Sequence, residues 1–169
     1  MIPEKVVGYN VYNGGGKLTG VTGEVTLPNL EAMSETISGA GIAGEYESPT
    51  PGHFGSTQIE IPFRTLYDTS FNLMVPKGQT LVLRASQQSY DVSDGQVKYR
   101  PLKITLRTIP KGIDLGKIGT GKPTETKNTL EVLYIKIEEN GKVLLELDKL
   151  NFIFIVNGID VLGPIRSQI

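Results

Sequence analysis

Alternation of apolar and polar positions with a period of two runs through most of this chain. Ile59, Ile61 and Phe63 alternate with Gln58, Glu60 and Arg64, with Pro62 interrupting. Leu102, Ile104 and Leu106 alternate with Lys103, Thr105 and Arg107, and the same spacing joins Leu133, Ile135, Ile137 and Val143, Leu145, Leu147. A period of two puts one face against a core and the other in water, as half-buried antiparallel strands require. Asp94-Gly95, Asn140-Gly141 and Asn157-Gly158 lie between such runs and tolerate positive φ, so each is expected to turn a hairpin. One helix is expected over Leu66–Val75, with Tyr67, Phe71 and Met74 on one face and Pro76 ending it. A weaker helical signal closes the chain at Leu162–Ser167. The expectation is a mainly β fold, an antiparallel β-sandwich or barrel with one short helix, in a single domain over 1–169.

Two features fit a monomer poorly. Leu150, Phe152, Phe154 and Val156 share one strand face while Ile153 and Ile155 occupy the other; Leu130 to Ile137 is similarly apolar on both sides. Such a strand is either central in a two-layered core or covered by another chain. The second feature is a pair of long glycine- or proline-rich excursions, 38–56 and 109–128, each well above the ~4–6-residue median connection. They are expected as long loops or arms; extension of the strands into a projecting hairpin is the alternative for both, and suits Glu45-Tyr46-Glu47.

Charge is unevenly spread. Residues 1–75 carry three basic groups against eight acidic ones, whereas 98–127 carry eight basic groups against Asp114 and Glu125. A basic stretch can bind nucleic acid, but this one has only Tyr99 as an interleaved aromatic and no reading motif. Solvated strand faces explain it, as does a meeting of the two charge sets between neighbouring subunits. The absence of cysteine excludes a disulfide framework and suits assembly in a reducing cytoplasm. Met1-Ile2-Pro3-Glu4-Lys5 does not resemble a secretion leader, and the longest apolar run, Phe152–Val156, falls far short of the ~20 residues of a membrane helix. A soluble protein is expected.

Chemical motifs fail on inspection. Gly39-Ala40-Gly41-Ile42-Ala43-Gly44 matches a dinucleotide fingerprint, but the acidic, proline-broken Glu45-Tyr46-Glu47-Ser48-Pro49 follows where a helix N-terminus is needed. Gly116-Lys117-Ile118-Gly119-Thr120-Gly121-Lys122 matches a phosphate loop until Pro123 replaces the Mg²⁺-holding hydroxyl. His53 is the only histidine, so no histidine metal cluster can be built; a Ser-His-Asp triad could use it on paper, but no nucleophile elbow surrounds any serine. No catalytic residue, metal site or cofactor is expected.

Over nearly its full length the chain resembles the major tail tube proteins of contractile phage tails and of R-type bacteriocins. The resemblance rests on VVGYNVYNGGGKLTGVTGEVTLPNLE, ETISGAGIAGE, SPTPGHFGS and IEIPFRTL, then on Val97–Lys103, Leu147–Phe152 and Val156–Leu162. It implies a non-enzymatic subunit that forms hexameric rings, stacked head to tail into a hollow tube inside a sheath. Implied partners are other copies of itself, the sheath, baseplate and tail terminator proteins. DNA passes the lumen without sequence-specific binding, and a target membrane is met only through the assembled particle. The implied location is the virion tail tube, or a bacteriocin particle, assembled in the host cytoplasm. A secreted tube of the type VI kind and a ligand-binding β-sandwich are the rivals; the latter usually displays exposed aromatics, and this chain has no Trp. Two interface expectations follow. Lys111, Lys117 and Lys122 meet Glu45 and Glu47 of the next ring, and Phe152, Ile153, Phe154 and Ile155 form an intersubunit or core strand.

Overall fold

The computed structural model describes residues 1–169. Thirteen elements follow one another: β1 (Ile2–Asn13), β2 (Gly16–Lys17), β3 (Ala32–Ser38), β4 (Glu45–Phe54), β5 (Gln58–Phe63), α1 (Asp68–Asn72), β6 (Gln79–Asp91), β7 (Gln96–Asp114), β8 (Thr126–Glu139), β9 (Lys142–Asp148), β10 (Ile153–Val156), β11 (Ile159–Asp160) and α2 (Gly163–Arg166). The fold is mainly β, and every strand pair is antiparallel. The three expected turns form, with Gly95 at φ 69°, Asn140 and Gly141 at 50° and 81°, and Asn157 and Gly158 at 48° and 80°.

One sheet runs β11-β10-β9-β8-β7-β6-β1-β2, and β5 joins the first half of β8. The segment after β2 closes this sheet on itself. Leu18 N–H donates to Val11 O, Thr22 N–H to Pro62 O, and Thr26 and Glu60 exchange both bonds at 3.1 Å. The resulting barrel is filled by the alternating residues named above: Ile59, Ile61, Phe63, Leu81, Leu106, Leu130 and Val132 are all at most 1% exposed. The rest of β6 and β7 runs beyond the barrel to the 92–95 turn, with the N-terminal part of β1 paired to β6 alongside.

The strand that looks apolar on both sides is explained by a bulge. Arg107 of β7 pairs with Tyr134, and Thr108 pairs with Val132, so Leu133 is left without a cross-strand partner. An extra residue shifts the alternation by one. Leu130 and Val132 therefore point inward before it and Ile135 after it. Intersubunit covering is not needed for β8.

Three expectations are corrected. The helix is confined to Asp68–Asn72, because Tyr67 is extended (φ −158°) with its ring 5.9 Å from that of Phe63, and Gln79 Nε2 donates to Asn72 O at the far end. The 38–56 excursion is mostly strand: only 39–44 turns, where Gly39, Gly41 and Gly44 adopt positive φ, and β3 and β4 pair on either side. The 109–128 excursion is likewise strand at both ends. β7 continues past Pro110 by a bulge at Lys111 and reaches Asp114, which leaves 115–125 as the loop.

Candidate functional site

The chain brings no catalytic group together. No set of three or more His, Asp or Glu could hold a metal. His53 sits on β4 with its ring edge-on to Phe152 at 5.4 Å, an aromatic contact rather than a reactive one. Gly39–Gly44 turns the β3–β4 hairpin and leads into a strand, and Gly116–Lys122 caps the β7–β8 connection and also leads into a strand. Neither offers the helix N-terminus that phosphate binding needs.

What the surface offers is unsatisfied structure. Only 22 of 169 residues are buried, so large apolar side chains remain outside the barrel core. The N-terminal part of β1 pairs with β6 along one edge only, and Ile2, Val6 and Val7 on it are each at least half exposed. A long open edge is a template for another strand; bulges between Pro3 and Lys5 and between Val6 and Gly8 twist it and limit indiscriminate pairing.

The β3–β4 hairpin is a second such structure. Its strands pair only with each other, as a separate two-stranded sheet. An isolated ribbon of this kind is marginal in water. Its base is tied down by Phe54 against Phe154 (5.0 Å between ring centres) and by Lys149 Nζ donating to Gly55 O at 2.8 Å. Gly52 at φ 75° lies so close to Leu162 that a Cβ there would stand 2.7 Å from Cδ2. Met33 and Tyr46 face solvent.

The expected interface residues fall in different places. Glu45 and Glu47 are exposed on this arm, Glu45 opposite Ser38 and Glu47 opposite Thr36. Lys117 and Lys122 stand on the 115–125 loop without an ion-pair partner. Lys111 is already engaged within the chain, with Nζ 3.5 Å from Glu131 Oε2 and donating to Gln58 Oε1 at 3.0 Å. Phe152 is a turn residue at φ 56°; Ile153, Phe154 and Ile155 form β10, which lies next to the two-residue edge strand β11 and is half-buried throughout. Phe154 packs on the core, so β10 is a near-edge strand rather than a central one.

An apolar groove of about 370 Å³ escaped the sequence reading. Val6, Tyr9, Val25 and Leu27 frame it, and Leu83, Ala85, Leu102 and Ile104 form its floor. The floor residues Leu102 and Ile104 belong to a strand the sequence shows; the rim does not show, because the barrel-closing segment is held by isolated bridges and Val25 and Leu27 lie outside any strand.

A closed barrel with open edges, a tethered arm and no reactive cluster defines a class of protein: a subunit built to assemble. The family comparison makes the class specific. Residues 3–169 match the model of phage tail tube protein FII, and the chain belongs to that family. A tail tube protein of Escherichia phage P2 is 29% identical over 99% of this chain and 98% of the relative. The family's role is structural, and the chain is a tail tube subunit, a component of the virion tail.

Proposed function

We propose that the subunit forms hexameric rings that stack head to tail into the inner tube of a contractile tail. The observation that carries this reading is the long open edge Ile2–Tyr9, which pairs with β6 on one side only and exposes Ile2, Val6 and Val7. Joining such edges around a ring satisfies their backbone groups and removes the aggregation hazard. The arm, marginal by itself, gains order by lying on a neighbour.

In this reading the partners are copies of the chain, a surrounding sheath, and the baseplate and terminator proteins at the tube ends. DNA passes through the lumen without base-specific contact, or the empty tube breaches a target membrane as part of a bacteriocin particle. The protein carries out no catalysis. Lys117 and Lys122 meet acidic groups of the next ring, for which Glu45 and Glu47 are exposed partners; Lys111 would first have to leave Glu131.

Negative-stain electron microscopy of the purified chain tests the proposal. Hollow rings or tubes are the expected result. A species that stays monomeric across concentration and salt, alone and with its sheath protein, would overturn it.

A further inference from the structure

We propose that the 115–125 loop of one copy seats Ile118 in the apolar groove framed by Val25 and Leu27 on a copy in the next ring. The inference rests on the stacked-ring reading and says where the stacking contact lies.

Ile118 is 91% exposed, so it rests on nothing in its own chain. The loop that carries it is nevertheless ordered. Gly116 N–H donates to Asp114 Oδ1 at 3.0 Å, Lys117 N–H to Thr124 O at 2.9 Å, and Lys122 N–H to Gly119 O at 3.2 Å. A Cβ on Gly116 would stand 1.8 Å from Thr124 O, so the turn tolerates only glycine there. A branched apolar side chain on a pre-shaped loop loses little freedom on docking.

The groove is its complement in chemistry. Its floor continues the barrel core by one rung, Ala85 and Leu102, which stay only half-buried. Glu24 lines it, and Leu27 also lines an adjoining cavity of about 620 Å³ that contains Glu31 and Glu60. Glu24 and Glu31 have no ion pair. Lys117 and Lys122, also unpaired, flank Ile118. Apolar tip with cationic flanks meets apolar floor with an anionic rim.

Groove and loop are different surfaces of the chain, as a head-to-tail contact requires. Ile104 on the groove floor lies mid-strand in β7 and Asp114 at the foot of the loop ends that strand, roughly 30 Å of strand contour away. Two different surfaces on one chain form a heterologous contact, which propagates into a filament when it does not close.

Because the chain has no cysteine, Leu27→Cys with Ile118→Cys provides a clean test. Treated with a short bis-maleimide under assembly conditions, this double variant should give a ladder of multimers on a denaturing gel, and neither single variant should. Ile118→Asp should keep the wild-type unfolding midpoint, since the side chain touches nothing, yet weaken elongation roughly ten- to hundredfold. Ile118→Leu should elongate normally. Tubes without a ladder, or full-length tubes from Ile118→Asp, overturn the docking and leave the tube reading intact. A ladder formed where microscopy finds neither rings nor tubes keeps the docking and sinks the stacked rings.

Discussion

β7 offers a comparison within a single strand. Between Ile104 and Thr108 its inward side chains are buried, whereas Lys98 and Arg100 on the same face near its start are only half-buried and Val97 and Tyr99 on the opposite face are largely open to water. Both stretches belong to the same unbroken ladder with β6, from Gln79↔Thr108 to Asp91↔Gln96. Pairing with β6 therefore does not distinguish the two ends; pairing with β8, which begins only at Leu102, and apolar covering do. The barrel end is sealed by β5 and by the segment that follows β2, whereas at the projecting end polar contacts such as Arg100 with Ser89 and Glu139 cover the strands and no apolar side chain is buried. The difference teaches that one half of the strand pairing stabilises the subunit, and the other half is surface held ready.

The sharpest way to break this comparison is to truncate on each side of it. Phe63→Ala removes a fully buried ring from the barrel core and should cost about 3–5 kcal/mol, enough to abolish much of a domain's stability. Tyr99→Ala on the projecting ladder should change subunit stability by less than about 0.5–1 kcal/mol. Denaturant unfolding of both variants checks the contrast. Comparable losses would mean that the projecting ladder belongs to the folding core after all.

The arm gives the next largest effect. Gly52→Ala combines a positive φ with a 2.7 Å approach to Leu162, and should cost about 1–3 kcal/mol by displacing the arm's base. Met33→Ser with Tyr46→Ser leaves that base intact and should barely move the unfolding midpoint while reducing assembly, as read by sedimentation. Limited proteolysis should cut the free subunit at the 39–44 turn and spare the tube. Equal protection in both states would show that the arm is not ordered by neighbours.

A charge swap sharpens the question of which acids meet the loop. Lys117→Glu with Lys122→Glu should impair stacking, each exposed pair contributing only ~0.2–1 kcal/mol but recurring around the ring. Glu24→Lys with Glu31→Lys should then restore tubes better than Glu45→Lys with Glu47→Lys, if the groove rather than the arm receives the loop. The reverse ranking assigns the lysines to the arm.

Most of the barrel was legible in the sequence, because period-two patterning and glycine-bearing turns act locally. What escaped was set by events between strands. The bulge at Leu133 shifts the alternation in mid-strand, and no residue there announces it. Segment 18–27 closes the barrel with isolated bonds, so its Val25 and Leu27 look like loop residues. Glycine-rich 38–56 and 109–128 were expected as loops because glycine and proline weaken strand propensity, yet pairing partners overrode that preference on either side of a short turn. The charge split was visible; that Lys111 is spent on Glu131 was not.

The smallest effect concerns how the projecting ladder ends. Lys98 Nζ lies 2.6 Å from Asp91 Oδ2 and 2.7 Å from Asp94 Oδ2, and Asp91 Oδ1 accepts from the Ser93 amide and hydroxyl. The Lys98 hydrogen bond, followed by those of Ser93, holds the Asp91 carboxyl well below the usual carboxylate range; Lys98 likewise lowers Asp94, and both carboxylates raise Lys98. A depressed carboxyl stabilises the fold fully above its ordinary value near ~4 and loses that contribution as pH falls toward its folded value. A raised ammonium contributes fully below its ordinary value near ~10.4 and loses it only above that. The turn should therefore be tightest across the broad window between the two and loosen in acid. The cluster is open to solvent, so the loosening should stay local. An NMR titration should find Asp91 protonating well below its normal range, and Lys98→Gln should move it back toward that range, with the global unfolding midpoint at neutral pH unchanged. A drop in that midpoint comparable to the Phe63→Ala loss would mean that polar contacts at the tip hold the barrel as firmly as burial does, and the contrast between the two ends of β7 would fail.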